Sequence, residues 1–318
     1  MPKRRIESDK HAPSAQVTRD ETMRDLTRML AQQDFKNFDE MNAFLQREVM
    51  GKPLRRVQAT TDRERAEDLV IAASNKRSLP KLRAQAAKAL KLDADCIAAH
   101  LLLAEVAESP TKALAHCRDA IAAGDRVLAD DLSDPNAPMW LVPNGRPYLR
   151  ARHLYAELLW QMGDRPAALE EARTILRLNA DDNQGMRYIL IEWLMRAGSV
   201  ADIDALLAAY DEPSAAWTFT TALHRFRTHG PTADATKALR AAISANAHVA
   251  PILLGHAPMP DELPDSYSMG HPSEAIIYVN GAISTWVDAV GALEWLEQVS
   301  RPYLPEVLHP SVATAPWY

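Results

Sequence analysis

Three glycines, Gly163, Gly198 and Gly230, follow one another at spacings of 35 and 32 residues and constrain this 318-residue chain more than any other feature. Each lies between two Ala- and Leu-rich stretches of helical periodicity. A glycine there ends the first helix, because it adopts a left-handed backbone without a Cβ penalty. A period of roughly 34 residues is that of helix–turn–helix repeats, which cannot bury their apolar faces alone and therefore stack. The first of these units has Ala156 in its leading helix and Ala168 early in its returning helix, where backbones must approach closely, and it exits through Leu178 to Asp182. The third has Ala235 and Ala242 on its second helix. A shorter unit runs from Ala94 to Ala122, with Ala104, Ala113 and Ala120 at the small positions and Pro110 in a clipped turn. Four such units exceed the minimum a stack needs to bury its inner faces.

Composition agrees with helices and little or no sheet. Apolar residues make up 47% of the chain, led by Ala and Leu, glycine occurs only 11 times, and the 21 prolines fall mainly between helical stretches. Alternating Val- and Ile-rich runs, which would mark strands, are scarce. The expected order is a disordered tail over 1–18, an N-terminal helical hairpin over 19–50 and degenerate helical repeats over 63–129. A loop over 130–148, packed down by Trp140, leads to the stronger repeats over 149–254. A C-terminal capping helix pair over 271–299 follows, and a tail over 300–318. In the hairpin, Met23, Leu26, Met29 and Leu30 share one face, and Met41, Phe44 and Leu45 face inward from the second helix. In the terminal pair, Ser273 is expected to cap a helix running through Ala275, Ile276, Val279, Ile283 and Trp286.

Five strings carry a resemblance. They are Arg146 to Arg152 (RPYLRAR), Asn179 to Tyr188 (NADDNQGMRY), Asn246 to Gly255 (NAHVAPILLG), Pro272 to Val279 (PSEAIIYV) and Gly291 to Leu296 (GALEWL). Through them the second half of the chain resembles a tetratricopeptide-repeat family of uncharacterised bacterial proteins that also includes the animal suppression-of-tumorigenicity-seven protein. Ala247 and Ala250 depart from the family pattern, which has prolines there. The resemblance implies an all-α, tetratricopeptide-like α-solenoid of stacked antiparallel helix pairs with an N-terminal helical extension, and it implies no catalytic activity.

Catalytic and cofactor motifs are missing. The chain has no Gly-rich phosphate loop, no His-Glu-x-x-His, no Gly-x-Ser-x-Gly and no acidic calcium loop. Cys96 and Cys117 are too far apart for a metal or redox pair and read as buried small hydrophobes, so neither metal nor cofactor is expected. No apolar run reaches the roughly 18 residues of a membrane span, and the opening residues lack a secretory apolar segment, so the expected location is the cytoplasm. Residues 1–92 hold 20 Lys/Arg against 13 Asp/Glu, and residues 93–318 hold 16 against 29. The basic part is interleaved with acids and poor in aromatics, which argues against nucleic acid as the partner.

Stacked helix pairs present the leading helix of each repeat to a concave groove. The groove candidates are therefore Arg150, His153, Glu157, Trp160 and Gln161, then Gly185, Tyr188, Glu192, Met195 and Arg196, then Trp217, Thr220, His224 and Arg227. Arginine and aromatic rings dominate interface energetics. Arg150, Arg152 and Arg187 are otherwise expected to pair with Glu157, Asp181 and Asp182 at the repeat seams. The expected function is a non-enzymatic scaffold that binds a protein or peptide in this groove. A regulatory module touching nucleic acid through the basic N-terminal region, or an enzyme whose site carries no motif, are the alternatives.

Overall fold

The computed structural model describes residues 15–74 and 78–303, and among them it holds sixteen α-helices, one 3-10 turn and no strand. The chain divides into two compact units between Asn183 and Gln184. The first contains α1 (Ala15–Ala31), α2 (Phe38–Glu48), α3 (Asp62–Ser74), α4 (Leu79–Leu92), α5 (Ile97–Glu105), α6 (Pro110–Val127), α7 (Ala129–Ser133), α8 (Gly145–Gln161) and α9 (Arg165–Leu178). The second contains α10 (Met186–Ala197), α11 (Val200–Ala209), α12 (Ala215–His229), α13 (Ala233–Ala245), α14 (Val249–Leu253), α15 (Pro272–Asp288) and α16 (Ala292–Ser300). Most of the tail expected over 1–18, and residues 304–318 of the terminal one, lie outside the described residues, while Ala15 already begins α1.

Local signals set these boundaries. Gly163, Gly198 and Gly230 all adopt positive φ, at 89°, 76° and 75°, and end α8, α10 and α12 as their spacing predicts. Returning helices start on capping side chains: Ser109, Asp164 and Thr232 accept the N–H of Lys112, Ala167 and Ala235. Each such cap contributes about 1 kcal/mol. At α15 the cap is His271 and not Ser273, because Pro272 suits the first helical position and the His271 side chain accepts the Ser273 N–H.

In the first unit α3/α4, α5/α6 and α8/α9 form antiparallel pairs, and each leading helix also lies on the pair before it, α5 on α3 and α4, α8 on α5 and α6. This is solenoid-type stacking, and its seams are made of small side chains. Ala66, Ala86, Ala89 and Ala99 are fully buried with Cys96 in one core, and Ala120, Ala123 and Ala151 surround Tyr148 in the next. Gly124, inside α6, has the Tyr148 ring where its Cβ would be, with Cδ2 only 2.1 Å away.

At the N-terminal end α1 packs on α3. The reason is ionic: Arg28, buried on α1, donates to Asp68 Oδ1 at 2.9 Å and to the Glu64 carbonyl at 2.6 Å, and Arg24 pairs with Asp68 at 3.2 Å. The loop expected over 130–148 is opened by α7 and closed by the first turn of α8, and Trp140 packs it down beneath the Arg146 guanidinium, 4.9 Å from the ring centroid.

The second unit pairs α10 with α11 and α12 with α13, with α11 against α12. The terminal pair, expected as a cap, is placed with α16 on α12, α13 and α14, and with α15 along both α10 and α12. Large rings fill these contacts: Phe226 stacks on Trp295 at 4.6 Å, and fully buried Trp286 donates to the Tyr278 hydroxyl at 2.9 Å. No single helix among the described residues is long and apolar enough to cross a membrane.

Candidate functional site

A partly open cavity of about 350 Å³ lies inside the second unit, walled by α10, α12 and α15, with Tyr267 of the preceding loop at its edge. It forms where α15 covers the faces of α10 and α12 that the repeat pattern assigns to an open groove. Its wall is mostly apolar, from Ile189, Ile191, Met195, Leu223 and Ile277. Against that wall stand a few polar atoms, the arrangement of a ligand site.

From α10, Tyr188 donates its hydroxyl hydrogen to Glu212 Oε2 at 2.9 Å and receives Arg187 Nη2 at 3.0 Å. Burial and the adjoining Glu212 push this phenol well above its ordinary range. One turn on, half-buried Glu192 holds Arg196 through Oε1 at 2.7 Å. Burial raises the Glu192 carboxyl, and Arg196 pulls it back. Its other oxygen, Oε2, reaches α15, where a Cβ added to Gly281 would be 2.8 Å away, and Arg196 donates to the Gly281 carbonyl at 3.2 Å. Absence of a side chain at Gly281 is what lets the Glu192 carboxylate approach α15.

From α15, Glu274 is buried and accepts three N–H donors, Ala215 N at 2.8 Å, Asn246 Nδ2 at 2.9 Å and Gly270 N at 2.7 Å. Those bonds tie the loop before α15 and the start of α12 to one carboxylate. Tyr278, raised by burial, is bonded by Trp286 and Thr220. Thr285 is 7% exposed, and its hydroxyl has no hydrogen-bond partner. A buried hydroxyl left unpaired costs about 1–3 kcal/mol.

Of the groove candidates, Tyr188, Glu192, Met195 and Thr220 come together in this cavity. Trp217 and His224 do not face a groove. Trp217 is 4% exposed, set edge-on to Tyr188 and Tyr210 and donating to the Tyr210 carbonyl, and His224 is 6% exposed beside Asp204 at 2.8 Å. Arg227 donates to the Met195 carbonyl at 2.6 Å and so links α12 to α10, while Gly185 adopts φ 72° and starts α10. In the first unit Arg150 pairs with Glu105 at 2.8 Å, His153 lies 3.6 Å from Glu157, Trp160 lies under the Arg165 guanidinium, and Gln161 is exposed. Arg150 pairs with Glu105 and Arg152 with Glu171, and Arg187 reaches Glu212.

Sequence reasoning misses Glu274, Tyr278 and Thr285, because α15 reads as an apolar capping helix. Their spacing, with Gly281 between, was a usable signal, since positions 274, 278, 281 and 285 fall on one helical face. The apolar stripe read for α15 is divided: Ala275, Val279 and Trp286 are buried, whereas Ile283 is exposed. No family model matches this chain, and no curated protein matches it.

Proposed function

We propose that this chain is a non-enzymatic binding module that takes a peptide segment of a protein partner and anchors it in the cavity of the second unit. The carrying observation is the cavity itself, about 350 Å³ of mostly apolar wall with a few directed polar atoms. That volume is at the lower end of the roughly 300–1,000 Å³ range of ligand sites, which suits anchoring side chains better than a whole helix. The non-catalytic reading is supported by thiols that burial pushes up to about 12 at Cys96 and Cys117, too high for a thiolate nucleophile. It is also supported by Glu274, whose oxygens are held by N–H donors. Two cysteines kept as free thiols suit a reducing compartment, which supports the cytoplasm. The engagement of Arg24 and Arg28 by the carboxylates of α3 disfavours the nucleic-acid alternative. Membership in the tetratricopeptide-type family belongs to the same proposal and rests on the glycine spacing and the five strings.

The test is peptide selection from a random displayed library against the full chain. The best peptide is then titrated against the full chain and against Ala282→Phe, which places a ring in the cavity. Binding weaker by roughly tenfold or more in a variant of unchanged circular dichroism is expected, as for loss of a central anchor pocket. Equal binding by both would remove the cavity from the function.

A further inference from the structure

We propose that the cavity between α10, α12 and α15 selects an organic cation, an ammonium or guanidinium group carried on an apolar stem. This rests on the reading above for the place of binding and adds the chemistry of what binds there. The charged residues of the wall are Glu192 and Glu274, and no Lys, Arg or His among the described residues lines it. Arg196 occupies Glu192 Oε1, and Oε2 reaches toward Gly281 with no donor of its own. Thr285, one turn beyond Gly281 on the same face of α15, is buried, lines the cavity and has an unpaired hydroxyl. Thr285 Oγ1 is itself sealed from the cavity, so Glu192 Oε2 is the acceptor the wall offers, and an N–H of a bound cation can satisfy it. Tyr188, Tyr267 and Tyr278 complete the lining, and ring faces attract cations.

Other ligand classes fit less well. An anion would meet two carboxylates and no cationic side chain from the wall. A calcium-like ion needs about six oxygen ligands, which a largely apolar wall does not offer. A neutral apolar molecule would leave the Glu192 Oε2 acceptor without a donor. The whole unit favours a positive ligand, since residues 184–318 hold 7 Lys/Arg against 14 Asp/Glu. The same chemistry has two sources, a free alkylammonium compound or a Lys or Arg side chain of a partner peptide.

The experiment titrates the full chain with hexylammonium, 1-hexanol and hexanoate, following the methyl resonances of Thr220 and Thr285 by NMR. Hexylammonium is expected to saturate these shifts and to bind roughly tenfold or more tightly than 1-hexanol, the usual advantage of a charge-assisted hydrogen bond, with hexanoate weakest. Glu192→Gln, which keeps the shape and removes the charge, is expected to abolish the preference for the ammonium. Equal binding of all three probes, or a preference unaltered in the folded Glu192→Gln variant, would overturn the assignment. A second arm competes hexylammonium with a capped lysine pentapeptide and its norleucine twin. Displacement by the lysine peptide alone supports a side-chain source. Hexylammonium binding without displacement by either peptide keeps the cation and removes the peptide reading. Binding of the norleucine peptide with no response to hexylammonium keeps the peptide reading and removes the cation.

Discussion

In the first unit the leading helices α3, α5 and α8 rest on one another through alanines, with Ala66, Ala99 and Ala151 fully buried, whereas in the second unit α15 lies along α10 and α12 and meets them with rings. Small side chains let paired helices approach closely. Tyr188 and Tyr278 line the cavity of the second unit. The alanine seams named here lie in one unit and the described cavity in the other.

The largest way to break this contrast is Trp286→Ala. It removes a fully buried ring and the donor to Tyr278, for an expected loss of about 3–5 kcal/mol. Urea denaturation gives the magnitude, and hydrogen exchange should place the loosening in α10, α12 and α15. A loss below about 1 kcal/mol, outside the usual range for such truncations, would mean that α15 is not integral to the second unit.

Next comes a matched pair of glycines. Gly124→Ala drives a methyl into the Tyr148 ring, 2.1 Å from Cδ2, and overpacking of that kind costs roughly 1–3 kcal/mol. Gly281→Ala meets only the end of the Glu192 side chain, at 2.8 Å, and alanine's better helix propensity, worth about 1 kcal/mol, offsets the contact. Thermal melts should therefore show a clear loss at Gly124 and almost none at Gly281; equal losses would end the distinction between a closed seam and a loose one.

The first unit should also carry an acid-sensitive joint. Against desolvation, which raises it, the Glu64 carboxylate is brought down to about 2 by the N–H groups of Thr60 and Thr61, the Thr60 hydroxyl and Arg28. A folded-state value below the unfolded value of about 4.3 contributes stability that is complete above that unfolded value and is lost as pH falls from there toward about 2. With solvent screening the effect is on the order of 1 kcal/mol. Denaturation across that window should show a shallower acid slope in Glu64→Gln than in the parent chain.

The smallest effect has the opposite sign. Thr285→Val replaces an unpaired buried hydroxyl by a methyl, and it should stabilise the chain by up to about 1 kcal/mol. A destabilised variant would mean that the hydroxyl has a partner in solution.

Much of the fold was legible in the sequence, through particular residues. Gly163, Gly198 and Gly230 end helices because only a residue tolerant of positive φ does so easily, and that requirement is local. The alanines at 104, 113, 120, 156, 168, 235 and 242 are all buried, as the close approach of paired helices demands. Legibility failed for Trp217 and His224, assigned to a groove by counting along α12, because which side of a helix is covered depends on what arrives from elsewhere in the chain. Nor does the apolar face of α1 say anything about the carboxylates of α3 that take Arg24 and Arg28.

What the sequence alone determined is therefore the helical class, the pairing of neighbouring helices and the places where they turn, all of which follow from short-range backbone and periodicity rules. Only the tertiary structure decided that α15 returns across α10 and α12 and brings Glu274, Tyr278 and Thr285 to Glu192. That contact joins residues more than eighty positions apart, as in the Arg196 bond to Gly281. It depends on the fit of whole helix faces, which local pattern in a single chain does not encode.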